Sequence, residues 1–193
     1  MTGTTTAKTV KSPRADACRN EDRLLAVARS AFVEKGIDSS LEDIARQAGV
    51  GIGTLYRHFP NRQALVEAVL RDHMLQLIEE GEQLLQEDDA YAALATWLQD
   101  VLQQIMTYRG ATKPMAQALM QCDDSVQTPC QLMRDTGERL VKRAQKLDRV
   151  RKDVKINDIM AMINAVGWIA EQGDTASASR SLQVVLDGIR ASK

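Results

Sequence analysis

Apolar residues recur along this chain with helical periodicity and almost never alternate. From residue 19 onward the pattern predicts helix after helix. Over residues 20–35, Leu24, Leu25, Ala28, Ala31 and Phe32 form one stripe, and Gly36 supplies a C-terminal stop. Ser40 opens a second, short helix, with Asp43 three positions on in a capping-box-like pairing. That helix ends at Gly49, and a third follows over residues 52–58. Asn61 caps a fourth, which turns Leu65, Val66, Val69, Leu70 and Leu77 inward. After the acidic break at Glu87 to Asp89, helices are predicted over residues 90–108, 114–121, 128–149, 153–172 and 175–191. The charged stretch 146–155 reads as a solvated connection, and Gly173-Asp174 as a turn. The fold class is therefore all-α, with about nine helices.

Composition places the chain among ordinary globular proteins, with 44% hydrophobic and 26% charged residues. No apolar run reaches the roughly 18 residues that a membrane span needs, so no membrane partner is expected. Residues 1–18 read as a disordered basic arm without the apolar core of a secretory signal, and a cytoplasmic location is the expectation. Charge is unevenly distributed. Residues 1–65 hold ten Lys+Arg against seven Asp+Glu, whereas residues 66–193 hold 15 against 19. A basic head on an acidic body suits a protein that presents one end to phosphate. Domains are accordingly expected at 19–65, with the helix-turn-helix at about 40–59, and at 66–193.

Cys18, Cys122 and Cys130 lack the spacing of a disulfide framework, and with only His58 and His73 no metal site is expected. Buried thiols are the plain reading; redox sensing by Cys122 and Cys130, eight apart around a loop, is the other. Nothing resembles a phosphate-cradling loop or a nucleophile motif, His73 has no evident partner, and neither catalysis nor a cofactor is expected.

The stretch SSLEDIARQAGVGIGTLYRHFPNR, residues 39–62, carries the candidate chemistry. Ile44, Ala45 and Ala48 face inward from one short helix, Leu55 and Phe59 from the next. Ala45 is small where the second helix crosses, Gly49 allows a left-handed reversal, and Val50 plugs the turn. That is a helix-turn-helix, whose second helix can enter a major groove. An ordinary corner between helices would share the small residues. It would not need Thr54, Tyr56, Arg57 and His58 projecting from one short helix, with Arg62 beside them.

Gly-x-x-x-Gly-Thr-Leu-Tyr-Arg-His-Phe-Pro-Asn-Arg, preceded by Leu-Glu-Asp-Ile-Ala-Arg-Gln-Ala-Gly-Val, resembles the DNA-binding signature of the TetR family of repressors. The likeness covers about residues 20–70. It implies a homodimer on double-stranded palindromic operator DNA, released when a small apolar or amphipathic effector enters the C-terminal domain. Carried over by position, it implies Ser40, Ile52, Gly53, Thr54, Tyr56, Arg57, His58 and Arg62 at the DNA, with Tyr56 and His58 on phosphates. The sequence departs from many members at Gly51-Ile52-Gly53, where a polar or cationic side chain is usual. Ile52 can touch a thymine methyl but reads no donor or acceptor, so base readout falls on Arg57 and Thr54. A constitutive DNA-binding protein without an effector is the alternative.

In the body, the segment from Ile156 to Ala170 is apolar nearly all round. Ile156, Ile159, Met160, Ile163 and Gly167, with Leu182, Val185, Leu186 and Ile189 of the last helix, are the expected dimer interface; completion of the protomer's own core is the competing reading. Trp97, Met106, Met115, Met120, Met133 and Trp168 are candidates for an effector pocket, since methionine-rich interiors deform readily. They would serve equally as core filler.

Overall fold

The computed structural model of the protein describes residues 13–108, 110 and 128–191. Among them are eight helices: α1 (Pro13–Lys35), α2 (Leu41–Gln47), α3 (Ile52–His58), α4 (Arg62–Leu84), α5 (Ala90–Thr107), α6 (Pro129–Lys146), α7 (Ile156–Glu171) and α8 (Thr175–Ile189). The only pairing of extended backbone among the described residues is an isolated bridge between Val150 and Arg190. The helix expected over residues 114–121 lies outside the described residues. At the other end α1 starts at Pro13, so the arm expected to be disordered through residue 18 is helical from Pro13 onward. Proline suits a first helical turn, where its missing N–H would have had no partner.

Side chains cap most of the helices. Ser40 Oγ accepts the Asp43 N–H, Asn61 Oδ1 the Ala64 N–H, Thr128 Oγ1 the Gln131 N–H and Asp174 Oδ1 the Ser177 N–H. Asp89 accepts from both Tyr91 and Ala92, and these two bonds hold its carboxyl below the usual carboxylate pKa. Each satisfies a donor that the helix itself leaves open. The expected last-but-one helix start at residue 153 moves to Ile156, because Lys155 takes the capping position with Asp158 Oδ2 accepting its N–H.

The body is organised around Trp97 on α5, which is fully buried and donates its indole N–H to the Leu77 carbonyl of α4 at 2.9 Å. Two glycines make room for its ring. A Cβ on Gly81 of α4 would stand 3.0 Å from Trp97 Nε1, and one on Gly137 of α6 would stand 2.6 Å from Cη2. Gly137 also faces Ile156 of α7, where a Cβ would come within 2.9 Å of Cδ1. Four helices thus converge on one indole. Leu94, Leu98, Val101 and Ile105 of α5, Leu140 and Val141 of α6, and Ile159 and Ile163 of α7 complete this core. At the far end α8 is fastened by Tyr91, whose hydroxyl donates to the Leu186 carbonyl at 2.8 Å while Arg190 stacks 4.2 Å over its ring.

Gly137→Ala should destabilise the folded protein by about 1–3 kcal/mol, as overpacking against rigid aromatic atoms does. Chemical denaturation checks this; an unchanged midpoint would show that α6 can retreat from Trp97 at no cost.

Candidate nucleic-acid interface

The head consists of α1, α2, α3 and the first turns of α4. Its core holds Leu24, Ala28 and Phe32 from α1, Ile44 and Ala45 from α2, Leu55 from α3 with Phe59 after it, and Leu65 and Val69 from α4, all buried. The reversal between α2 and α3 is set by Gly49, whose φ is +69°. Its N–H reaches the Arg46 carbonyl at 3.1 Å, and the Val50 N–H reaches Ala45 at 3.0 Å. This paired closure satisfies the last carbonyls of α2, and it requires a left-handed residue that only Gly or Asn adopts cheaply.

The outer face of α3 is open. Tyr56 and Ile52 are 45% and 37% exposed, Arg57 is exposed, and Thr54 is half-buried. Gly51 opens the helix with no side-chain cap, and a Cβ at Gly51 or Gly53 would meet nothing within 4 Å. The protomer's own packing therefore makes no demand for glycine at either place. His58 is turned partly back: its Nδ1 is 3.6 Å from Glu21 Oε2 of α1 and its side chain is only 16% exposed. Ser40 is exposed, but its hydroxyl is occupied at the α2 cap, where it also lies 3.1 Å from Glu42 Oε2.

Arg62 does not join this face. Its Nη1 donates to the carbonyls of Ile37 at 2.8 Å and Ser39 at 2.5 Å, within the loop between α1 and α2. The resemblance implies Arg62 at the DNA, whereas in the protomer its Nη1 is engaged at this loop. A guanidinium holding two backbone carbonyls in a half-buried position satisfies acceptors that water cannot easily reach. Ser39, which the sequence reading passed over, reinforces the same loop: it is buried, with Oγ 2.6 Å from the Gly36 carbonyl and 3.0 Å from that of Ala31. Arg29 of α1 pairs with Asp72 of α4. Together these bonds tie α1, α2 and α4 into one block. Arg23 is a second residue not anticipated, with Nη1 4.0 Å from the place of a Cβ on Gly49. Its signal, one exposed cation on the outer side of α1, cannot be told from any solvated arginine.

A family model described as "Bacterial regulatory proteins, tetR family" matches residues 24–69. One described as "Transcriptional regulator SbtR-like, C-terminal domain" matches residues 89–191, just over half of the chain. The chain belongs to the TetR family of transcriptional regulators. A TetR transcriptional regulator from Streptomyces coelicolor, of solved structure, is 33% identical and superposes with a TM-score of 0.61 over 90% of this chain and 99% of that one. An HTH-type transcriptional regulator of Staphylococcus aureus is 32% identical over 110 residues, 56% of this chain and 56% of that protein. The chain thus matches about half the length of that curated relative. FadR of Bacillus subtilis, solved in complex with stearoyl-CoA, shares the fold at 17% identity, with a TM-score of 0.59 over 87% of this chain and 98% of that one. The exposed α3 is accordingly the second helix of a TetR-type DNA-binding head. No helix among the described residues is long and apolar enough to cross a membrane.

In the body of this TetR protein the expected pocket and interface residues are redistributed. Trp97 and Met133 are core, 0% and 1% exposed, rather than pocket lining, because Trp97 is enclosed by Gly81 and Gly137 and its N–H is already bonded. Met106 is half-buried against the core, whereas Trp168 is 58% exposed on the outer side of α7. Met115, Met120 and Cys122 lie outside the described residues. Cys130 is buried at the start of α6 and Cys18 is exposed on α1. Ile156, Ile159, Met160, Ile163 and Gly167 face the protomer's own core, as do Leu182, Leu186 and Ile189, with Val185 half-buried beside them. Those inner side chains are spent within the protomer. What the helices leave outward is a different apolar set, Met162 (56% exposed), Trp168 and Val184 (72%).

Where α4 passes the end of α5, His73 Nε2 lies 2.5 Å from the Tyr108 hydroxyl. Burial lowers the imidazole pKa, with Arg29 adding to the effect and Asp72 opposing it, and burial raises that of the phenol. Both rings are therefore uncharged near neutral pH.

Arg57→Ala should weaken DNA binding while leaving the melting curve in place. Arg62→Ala should lower stability by about 1–3 kcal/mol, since two carbonyls lose their donor. Thermal melts and DNA titrations on the same two preparations separate these roles, and a stable Arg62→Ala protein with lost DNA affinity would return Arg62 to the interface.

Proposed function

We propose that this TetR regulator is a ligand-released repressor that binds a palindromic operator as a homodimer. The observation that carries the DNA-facing part is the outer surface of α3. Tyr56 and Arg57 have no hydrogen-bond partner among the described residues, and the two glycines before them answer no packing need. A surface left bare in this way lets a sugar-phosphate backbone approach closely, with Tyr56 on a phosphate and Arg57 and Thr54 at base edges. Operator selection from genomic fragments, followed by titration at several salt concentrations, tests the reading and identifies the controlled promoter.

Glycine inside a helix costs about 1 kcal/mol relative to alanine. Gly53→Ala should therefore raise stability by up to about that amount while weakening operator binding at least tenfold. A variant that gains stability and keeps its affinity would remove the close-approach argument.

Dimerisation is supported by the apolar side chains that α7 and α8 leave outside. Met162 and Trp168, with Ala165 between them, lie on the solvent side of α7, and Val184 is the most exposed large apolar residue among the described ones. Matching helices from a second copy would cover them in a four-helix contact. Trp168→Glu and Val184→Glu together should give a folded monomer, whereas Ile163→Glu should unfold the chain. Sedimentation and circular dichroism distinguish the two outcomes, and a wild-type monomer at micromolar concentration would end the proposal. Release by a ligand is supported by the fold shared with FadR, which was solved with stearoyl-CoA bound, and by the unpartnered polar groups inside the body.

A further inference from the structure

Five polar atoms are buried without a hydrogen-bond partner among the described residues: Arg29 Nε on α1, Arg143 Nη1 on α6, and, on three helices that meet around α5, His73 Nδ1 of α4, Gln104 Oε1 of α5 and Asn164 Oδ1 of α7. Gln104 is half-buried, with its Oε1 turned out of solvent. It stands two turns beyond Trp97, one turn beyond Asp100 and one turn before Tyr108, on the face that also carries the buried Val101. Asn164 donates its amide to the Met160 carbonyl of its own helix at 3.1 Å and leaves its oxygen without a donor.

Helices α5 and α7 run side by side in the same direction. Gly137 brings Trp97 and Ile156 together at one end. At the other, Glu171 Oε1 accepts the Gly110 N–H at 3.0 Å. Gln104 is seven residues past Trp97 and Asn164 eight past Ile156, so the two amides are level to within about 2 Å along the helices. His73 joins them through Tyr108, one turn above Gln104.

Buried polar atoms are nearly always paired, because an unpaired one loses its hydration without recompense. His73, Gln104 and Asn164, each half-buried on helices packed around α5, call for a molecule that supplies the missing partners. Two of the three atoms are amide oxygens, which accept only. The third belongs to an uncharged imidazole whose other nitrogen is engaged with Tyr108, so its role follows the tautomer. With the Tyr108 hydroxyl donating to Nε2, Nδ1 carries the proton, and a hydroxyl is the smallest group that can donate to Gln104 Oε1 while accepting from His73 Nδ1–H. An anion would face two carbonyl dipoles by their negative ends; the neighbouring Arg29 pairs with Asp72 through Nη2 and keeps a buried Nε without a partner, so a carboxylate probe belongs in the test.

We propose that Gln104, His73 and Asn164 form the polar end of the effector site, and that the effector is an uncharged apolar molecule bearing a hydroxyl group. The proposal rests on the ligand-released reading above.

The test is calorimetric titration of the full chain with 2-naphthol, 2-methoxynaphthalene, 2-methylnaphthalene, 2-naphthoate and naphthylmethylammonium. The last is included because half-buried Asp100 lies one turn below Gln104. Naphthol should bind about tenfold or more tighter than any other, the worth of one to two well-made hydrogen bonds. Gln104→Leu should erase that preference while keeping or improving the affinity for methylnaphthalene. His73→Phe should reduce the preference in the same way, and serves if the first variant does not fold. No binding of naphthol, equal affinity for the neutral probes, tighter binding of either ion, or a preference that survives both substitutions would overturn the proposal. Operator affinity measured on the same preparations tells the two readings apart. Naphthol bound with the expected preference but without operator release leaves the site standing and removes the ligand-released reading. Operator release by a compound without a hydroxyl, with naphthol unbound, does the reverse.

Discussion

The body of this protein depends on the enclosure of one indole. Trp97 takes a carbonyl of α4 as its hydrogen-bond acceptor, and α4 and α6 each give up a side chain so that the ring can be surrounded. Because its N–H is satisfied, the largest side chain in the core can be buried whole, with the apolar area of an aromatic and no polar penalty. The consequence reaches the head. Helix α4 belongs to both halves of the molecule, and the bond from Trp97 to Leu77 fixes its body end in place.

At its other end α4 is held as firmly, by different chemistry. Arg62 binds the carbonyls of Ile37 and Ser39, Asn61 caps the first turn, and Arg29 pairs with Asp72. These are polar ties to backbone and charge, at a surface that also carries the exposed groups of α3. The body meets the head again at Gly110, where a Cβ would stand 3.0 Å from Ile37 Cγ1, in the very loop that Arg62 holds. Among the described residues, head and body thus meet both through a continuous helix and through contact.

Much of this was legible in the sequence, and the parts that were not share a cause. Ser40, Gly49 and Asn61 announce the limits of α2 and the start of α4 because capping acts between residues two to five apart, a range that sequence displays directly. The inward positions of α2 and α3 follow from the same local periodicity. The tie that Arg62 makes to the loop was not legible, because its acceptors are backbone carbonyls 23 and 25 residues away, which carry no residue identity at all. Trp97 and Trp168 look alike as letters. Only the glycines opposite the first, on helices far off in sequence, make one a core residue and leave the other at the surface. The apolar circumference of α7 marked it as a core helix, but periodicity alone could not say which side the protomer keeps. Gln104 broke the pattern of its helix without drawing notice. A single polar residue in an apolar stripe becomes informative only when its oxygen is found buried and unpaired.

The length of α4 gives the two sets of ties an unequal bearing on position. Its 23 residues span about 35 Å. With the head bonded rigidly to the first turn and the body end pinned beside Trp97, the helix acts as a pointer whose pivot lies in the core. A rotation of about 8° at that pivot, well within the scatter of ordinary helix packing, carries the head end, about 22 Å away, sideways by about 3 Å. That displacement approaches the rise of one base pair. The arrangement multiplies a small change in packing into a change of register on DNA, and it does so without breaking a single bond in the head.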